Sequence, residues 1–276
     1  MSNPPSSFTA HFLGTGTSTG VPLIGCSCPV CTSADARDQR LRASLWIQSK
    51  DGFSLLIDTS SDLRQQALRV AIPRVDAVLI THSHVDHIFG LDELRRFNTV
   101  QHERIPLYAS PSTLRDLRRV FDYMVSPRAH AAGAYLPEID FHALAETSTS
   151  IGPFEVTPIP VGHGDMPMWG YRIAMGAKAL AYIPDCKAIS EDARERIRDI
   201  DTVILDGLRL RPHSSHMTIP ESAQVIQNLG ARRGFITHIG HDLSHSEIVS
   251  ILPPHIHPAY DGMEVMMTDD RATIHH

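Results

Sequence analysis

Directly after the apolar run Ala77-Val78-Leu79-Ile80 the chain reads Thr81-His82-Ser83-His84-Val85-Asp86-His87, four ligand-type side chains within six positions and ahead of a helix-like segment. Residues i and i+2 at a strand end point the same way, so His82 and His84 can share one ion, while Asp86 and His87 begin the next turn and face a second. Imidazole and carboxylate suit zinc, manganese or iron in such a site. A lone histidine on an apolar strand is usually structural. Three packed together with an aspartate point to metal chemistry at a strand-to-helix turn. Histidine is also the unusual feature of the composition, at 17 of 276 residues.

At roughly 150 residues per domain the length allows one large domain or two small ones. Apolar and charged fractions of 42% and 20% are those of a globular chain. No Gly/Ser linker, charge block or internal repeat divides it, so residues 1–276 are expected to form one α/β domain. Expected strands are Phe8 to Leu13, Ala43 to Ile47, Phe53 to Ile57, Ala77 to Ile80, Ile105 to Tyr108, Phe154 to Ile159, Tyr171 to Ala174, Ala179 to Ile183, Thr202 to Leu205, Gly234 to Ile236 and Glu264 to Met267. Helices are expected over Asp62 to Val70, Ile88 to Arg96, Ser112 to Val120, Ser190 to Ile197, Thr218 to Leu229 and His245 to Leu252. Thr218-Ile219-Pro220-Glu221 is a start signal, because Thr218 can cap the Glu221 N–H while the glutamate reaches back. From Phe121 to Leu144, Pro127, Gly133 and Pro137 interrupt any long element, which suggests a surface insertion or lid whose Phe121, Tyr123 and Tyr135 would contact substrate or partner. An irregular connection without function is the plainer alternative.

The formal net charge of −6 recruits neither nucleic acid nor an anionic membrane surface globally, although a local basic patch is compatible with it. Met1 to Gly14 has no basic segment ahead of an apolar run, and no stretch reaches transmembrane length, so the expected location is cytoplasmic, without a membrane partner. Three of the four cysteines, Cys26, Cys28 and Cys31, fall within six residues, which in a reducing compartment suggests metal binding or catalysis before bridging.

The H-x-H-x-D-H pattern resembles the metallo-β-lactamase superfamily, which implies an αββα sandwich with a binuclear site along one edge of its sheets. The resemblance further implies a His after a strand, an Asp at another strand end and a His near the C-terminus. Ile159-Pro160-Val161-Gly162-His163, Ala181-Tyr182-Ile183-Pro184-Asp185 and Gly234-Phe235-Ile236-Thr237-His238 supply them in that order. By the same resemblance His82, His84 and His163 hold one metal, Asp86, His87 and His238 hold the other, and Asp185 bridges both. Two cations about 3.5 to 4 Å apart lower the pKa of a bridging water and clamp the oxygens of an in-line displacement.

Cys26-x-Cys28-x2-Cys31 is most of a tetrahedral zinc site and needs one more ligand. Cys186 follows Asp185 and would have to face away from it, so His241, three residues after His238, is the better candidate. Buried or redox-reactive thiols without metal are the alternative. Together with Leu13-Gly14-Thr15-Gly16, Gly20-Val21-Pro22 and Asp261-Gly262-Met263-Glu264, these motifs are similar to the PhnP-type phosphodiesterases, relatives of tRNase Z that open cyclic phosphodiesters. That resemblance implies two active-site divalent metals, manganese or zinc, and one structural zinc. The expected substrate is a small phosphodiester or nucleotide, and a homodimer is compatible with the family.

An alkoxide leaving group departs poorly at neutral pH without a proton. In the family a His before a late helix supplies it, and within Leu210-Arg211-Pro212-His213-Ser214-Ser215-His216-Met217-Thr218 the matching position is His216. His216 and Asp86 are the expected catalytic residues, with His213 as the fallback acid. Asp206, at the end of Thr202-Val203-Ile204-Leu205, could orient an imidazole. Arg209 and Arg211 could meet substrate phosphate, whereas Arg115, Arg118 and Arg119 have the spacing of a solvated helix face. Gly14 to Gly20 lacks the lysine of a P-loop and is expected instead to bring backbone to the active-site edge. A tRNase Z-like endonuclease, a glyoxalase II-like thioesterase and a non-catalytic metal-binding protein are the alternatives, and no long basic RNA-gripping insertion is visible.

Overall fold

Every residue of Ser54–Ile57 and Ala77–Leu79 is buried, as happens where both faces of a strand are covered. The computed structural model describes residues 7–125, 135–268 and, as backbone alone, 274–275. One sheet contains β1 (Phe8–Gly14), β2 (Ser44–Ser49), β3 (Ser54–Ile57), β4 (Ala77–Leu79), β5 (Ile105–Ala109), β6 (Ile139–Ala143), β14 (Glu264–Met267) and β15 (Ile274–His275), in the order β15-β14-β1-β2-β3-β4-β5-β6. The other contains β7 (Thr149–Ile151), β8 (Phe154–His163), β9 (Met166–Met175), β10 (Lys178–Ile183), β11 (Thr202–Asp206), β12 (Arg233–Thr237) and β13 (Ile256–Pro258), in the order β13-β12-β11-β10-β9-β8-β7.

Alternation along each strand builds four layers. Leu45, Ile47, Leu55, Ile57, Ala77 and Leu79 of the first sheet share a core with Val156, Tyr171, Ile173, Leu180 and Tyr182 of the second. Their neighbours Trp46, Leu56 and Val78 turn outward onto Leu63, Leu94, Leu114 and Leu117 of helices Leu63–Arg69, Leu94–Gln101 and Pro111–Val120. On the far side Ala181, Ile183, Val203 and Leu205 meet Ile219, Ala223, Ile226 and Ile248 of helices Ile219–Asn228 and His245–Ile251. Each fully buried Leu or Ile contributes about 1.5–3 kcal/mol. The result is the expected αββα sandwich. No helix among the described residues is long and apolar enough to cross a membrane.

Parallel pairing brings the functional strand ends abreast. Ile57 pairs with Leu79, Ile183 with Leu205, and Asp206 with Thr237, so the C-terminal ends of β3 and β4, and of β10 to β12, finish at matching heights. Ligand sites in α/β sheets favour such ends. Thr218 and Glu221 form the expected capping box, and Ser244 with Glu247 forms a second.

The structure differs from the expected elements in several places. The helix expected over Ile88 to Arg96 is three pieces, Val85–Ile88, a 3-10 turn Leu91–Glu93 and Leu94–Gln101. Gly90 marks the break, because a Cβ there would lie 2.0 Å from the Ser60 carbonyl oxygen. Within the 121–144 stretch, Asp122–Val125 is a helical turn and Ile139–Ala143 is β6, paired parallel with β5 at the sheet edge; 126–134 lie outside the described residues. Short strands Thr149–Ile151 and Ile256–Pro258 have too few residues to show a periodicity.

Two hydrogen bonds from β9 fix the segment after β4: the Tyr171 hydroxyl donates to the Ile80 carbonyl at 2.7 Å, and the Trp169 N–H to the Thr81 carbonyl at 3.2 Å. Tyr171→Phe should therefore destabilise the fold by about 1–2 kcal/mol in urea unfolding. An unchanged midpoint would show that this bond adds nothing to holding the turn.

Candidate metal centre

The chain leaves β4 through Thr81 and places three imidazoles around one point. His82 Nε2 lies 2.9 Å from His84 Nδ1, which lies 3.4 Å from His163 Nε2 at the end of β8. Asp185, two residues beyond β10, puts Oδ2 3.8 Å from both His82 Nε2 and His163 Nε2. A second group sits on the other side of Asp185. Asp86 Oδ2 is 3.3 Å from His87 Nε2 and 3.7 Å from His238 Nε2, while Asp185 reaches His87 Nε2 through Oδ1 and His238 Nε2 through Oδ2, each at 3.4 Å. Ligands about 2.0–2.2 Å from a common ion stand roughly 3 to 3.6 Å apart, close to these separations.

The donor set fits cations on two further grounds. Among the described residues, buried His87 Nε2, His238 Nε2 and Asp185 Oδ1 have no hydrogen-bond partner, all within this cluster. Asp58, Asp86, Asp185 and Asp206 are buried, and among the described residues their ion-pair partners are histidines alone. Burial would raise the Asp86 and Asp185 carboxyls, yet the surrounding imidazoles, His87 and His238 foremost, hold both below the usual carboxylate range. Burial opposes charge on His87, but Asp185, Asp86 and Asp58 hold its pKa well above the ordinary value, which marks a point that demands positive charge.

The outer nitrogens are anchored. His87 Nδ1 donates to Asp58 Oδ2 at 2.7 Å, His163 Nδ1 donates to the Ser215 carbonyl at 2.9 Å, and His82 Nδ1 lies 3.0 Å from Thr81 Oγ1. Asp58 also accepts from the Thr81 N–H at 2.8 Å, so one carboxylate fixes both the turn and the ring. Asp58 is not among the site residues expected from the sequence. Its signal was present, since it ends the apolar run Phe53 to Ile57 as Asp185 and Asp206 end theirs.

His216, the expected acid, lies against the second group. Its ring stacks on His238 at 4.7 Å and 11°, and its Nδ1 lies 2.8 Å from Asp206 Oδ2, which also accepts the Cys186 N–H at 2.9 Å. Burial, then His238, lowers its pKa to about 4. A cleft of about 400 Å³ lined by His84, His163, Gly164, Asp165, Met166 and Ser215 opens beside it. The fallback His213 lies 5.0 Å from His216, ring to ring. Arg211 pairs with Asp242, Arg119 with Asp116, and Arg118 covers Phe141.

The cysteines converge on His241 Nδ1 at 3.6, 3.4 and 3.6 Å for Cys26, Cys28 and Cys31 Sγ. Tetrahedral zinc with Zn–S near 2.3 Å and Zn–N near 2.0–2.1 Å places S and N about 3.5 Å apart, so the four residues fit that ion. The Cys31 N–H and His241 lower the Cys28 thiol to about 6, while burial raises Cys31 to about 11. Cys186 is buried in the outer core with Ile183 and Ile189. Backbone from the Gly14 to Gly20 segment reaches this edge: the Ile239 N–H donates to the Thr15 carbonyl and the Thr17 N–H to the Ile239 carbonyl.

A family model described as a beta-lactamase superfamily domain matches residues 54–239. The chain is similar to a crystal structure of a diphosphatase from the PhnP family, with a TM-score of 0.86, 38% identity, and 95% of this chain and 98% of that one covered. It is 37% identical over 264 residues to an octanoyltransferase of Porphyromonas gingivalis, covering 93% of this chain but only 51% of that relative, about half its length. It is 30% identical to coenzyme PQQ synthesis protein B of Methylobacterium nodulans, over 72% of each.

Removing the carboxylate behind His87 tests the centre. Asp58→Ala should weaken divalent metal binding at the His/Asp site about 10- to 100-fold in competition titrations, leaving the cysteine site filled. Equal affinity in variant and wild type would rule out an orienting role for Asp58.

Proposed function

The chain belongs to the metallo-β-lactamase superfamily, and on that premise we propose that it is a phosphodiesterase acting on small cyclic phosphodiesters of the cyclic ribose phosphate or 2',3'-cyclic nucleotide type. A metal-dependent hydrolase is the activity its family and fold support; the substrate class rests on one observation, the His216–Asp206 pair at the rim of the His/Asp centre. A thiolate leaves readily without a proton, whereas an alkoxide does not, so an oriented imidazole at this position favours phosphodiester over thioester cleavage.

His82, His84, His163 and Asp185 would hold one divalent ion, and Asp86, His87 and His238 with Asp185 the other, manganese or zinc in either place, with zinc in the cysteine site. Such ions supply Lewis-acid stabilisation of phosphoryl charge and activation of the attacking water. Asp86 serves catalysis as a member of the second set. Asp206, fixed by the Cys186 N–H, accepts from His216 Nδ1 and so leaves Nε2 to face the leaving oxygen. Burial makes the charged imidazole a strong acid. An arriving phosphate anion raises its pKa, so the substrate itself brings the condition for protonation. The proton then passes from Nε2 to the leaving alkoxide as the P–O bond breaks.

The similarity to a diphosphatase supports phosphoryl chemistry, and the octanoyltransferase name belongs to a relative of which this chain spans about half. A panel of 2',3'-cyclic nucleotide, dinucleotide diphosphate, precursor tRNA and acyl thioester tests the proposal. Turnover of the cyclic nucleotide is expected, and cleavage of only the RNA or only the thioester would overturn it. Elemental analysis should find about three metal ions per chain, two in the His/Asp centre and one with the cysteines. Asp185→Ala should lose active-site metal and turnover together. His216→Ala should keep the metals while kcat falls about 10²- to 10⁴-fold, and full activity in that variant would remove His216 as the acid.

A further inference from the structure

The helices Leu63–Arg69 and Leu94–Gln101, packed on the outer face of the first sheet, leave a groove between them. Arg64, Ala67 and Leu68 recur at i, i+3 and i+4, and Glu93, Arg96, Phe97 and Val100 at i, i+3, i+4 and i+7, so each set shares one side of its helical segment. Both sets border the groove, whose volume is about 450 Å³. An apolar stripe of this kind is ordinarily turned into a core. Here Leu63 and Ile72 lie buried at the groove, while Leu68 and Val100 on its sides are 65% and 51% exposed.

Three charged side chains border it, Arg64, Arg96 and Glu93, and none has an ion-pair partner among the described residues. Neighbouring charges are matched elsewhere: Arg69 with Asp261, Arg95 with Asp92, Asp62 with Arg42, and Arg74 with Asp76. Two guanidinium groups against one carboxylate leave one positive charge over. A single carboxylate brought by a ligand balances the rim, whereas two copies of this groove face to face would bring two unmatched cations together. A partner helix is also poorly served, because helices of seven and eight residues offer only about 12 Å of groove. An apolar recess with a few charged groups at its border, at this volume, has the character of a small-molecule site.

We propose that this groove is a binding site for an aliphatic monocarboxylate, its tail lying between Leu68 and Val100 and its carboxylate held at the guanidinium rim. The groove shares no residue with the His/Asp centre, so the site stands or falls whatever the enzyme hydrolyses.

Isothermal titration calorimetry with decanoate, decyltrimethylammonium and acetate separates head group from tail. Decanoate should bind, decyltrimethylammonium about tenfold more weakly, and acetate without measurable heat. Leu68→Asp, at an exposed position, should abolish decanoate binding while circular dichroism matches wild type. Arg64→Ala combined with Arg96→Ala should weaken decanoate about three- to tenfold, and Glu93→Gln should strengthen it about two- to threefold. These opposite responses distinguish a charged rim from nonspecific adsorption of the tail. Equal affinity for both head groups, or unchanged affinity in Leu68→Asp, overturns the inference. So does a dimer in analytical ultracentrifugation that Leu68→Asp dissociates and decanoate leaves intact, which would assign the groove to a second copy.

Discussion

Four buried aspartates whose ion-pair partners among the described residues are histidines alone set the terms for everything else in this molecule. Asp58, Asp86, Asp185 and Asp206 lie at or just past strand ends, out of water, and each ionised carboxylate taken from solvent costs several kcal/mol unless matched. Neutral imidazoles cannot match them. Divalent ions can, and the sandwich is the scaffold that brings the set together: β3, β4, β10, β11 and β12 are held in register by cores on both faces, so their ends converge without any long loop having to find its place. Apolar burial stabilises the strands, and that stability offsets the charge gathered at their tips.

The same edge ties two metal sites together through four residues. His238 belongs to the binuclear set and His241 to the cysteine site, so the segment between them cannot shift for one without shifting for the other. Arg40, one of the largest fully buried side chains, braces that segment by donating to the Gly240 and Leu243 carbonyls, with Asp38 as its counter-ion and the His245 N–H on the same Asp38 oxygen. Filling the cysteine site closes the N-terminal loop against this brace. Its contribution to the proposed reaction would thereby be the placement of His238.

What the sequence made legible follows from this physics. His82, His84, Asp86, His87, His163, Asp185 and His238 each terminate or follow an apolar run, and a polar residue at the end of a doubly buried strand has few places to point. Cys26, Cys28 and Cys31 were legible by spacing, and His241 by its distance from His238. Other features depend on contacts remote in sequence. Arg40 and Asp38 look like ordinary surface charges until the 237–245 segment folds over them. Gly90 looks like a tolerated helical glycine until the Ser60 carbonyl occupies the space of its Cβ. β6 looks irregular because only one of its five residues is buried. Asp58 and His238 adopt left-handed backbone, with φ of 62° and 58°, where glycine would be the usual sign of a turn. Such conformations cost about 1–3 kcal/mol and are retained where side-chain chemistry requires them.

Asp206 shows how closely His238 of the metal set and the proposed acid His216 are bound to each other. One oxygen is 2.8 Å from His216 Nδ1 and the other 3.9 Å from His238 Nδ1, so the carboxylate hydrogen-bonds the His216 imidazole and only approaches that of His238. The ligand must then be oriented by other means. Its left-handed backbone and the parallel stack against His216 provide them, which makes His216, the proposed proton donor, one wall of the slot holding His238. A ring in that position cannot swing toward solvent between turnovers without loosening a metal ligand. The His216 ring is therefore rigid by construction, and the open side of the site is the cleft where Gly164, Asp165, Met166 and Ser215 border His84 and His163.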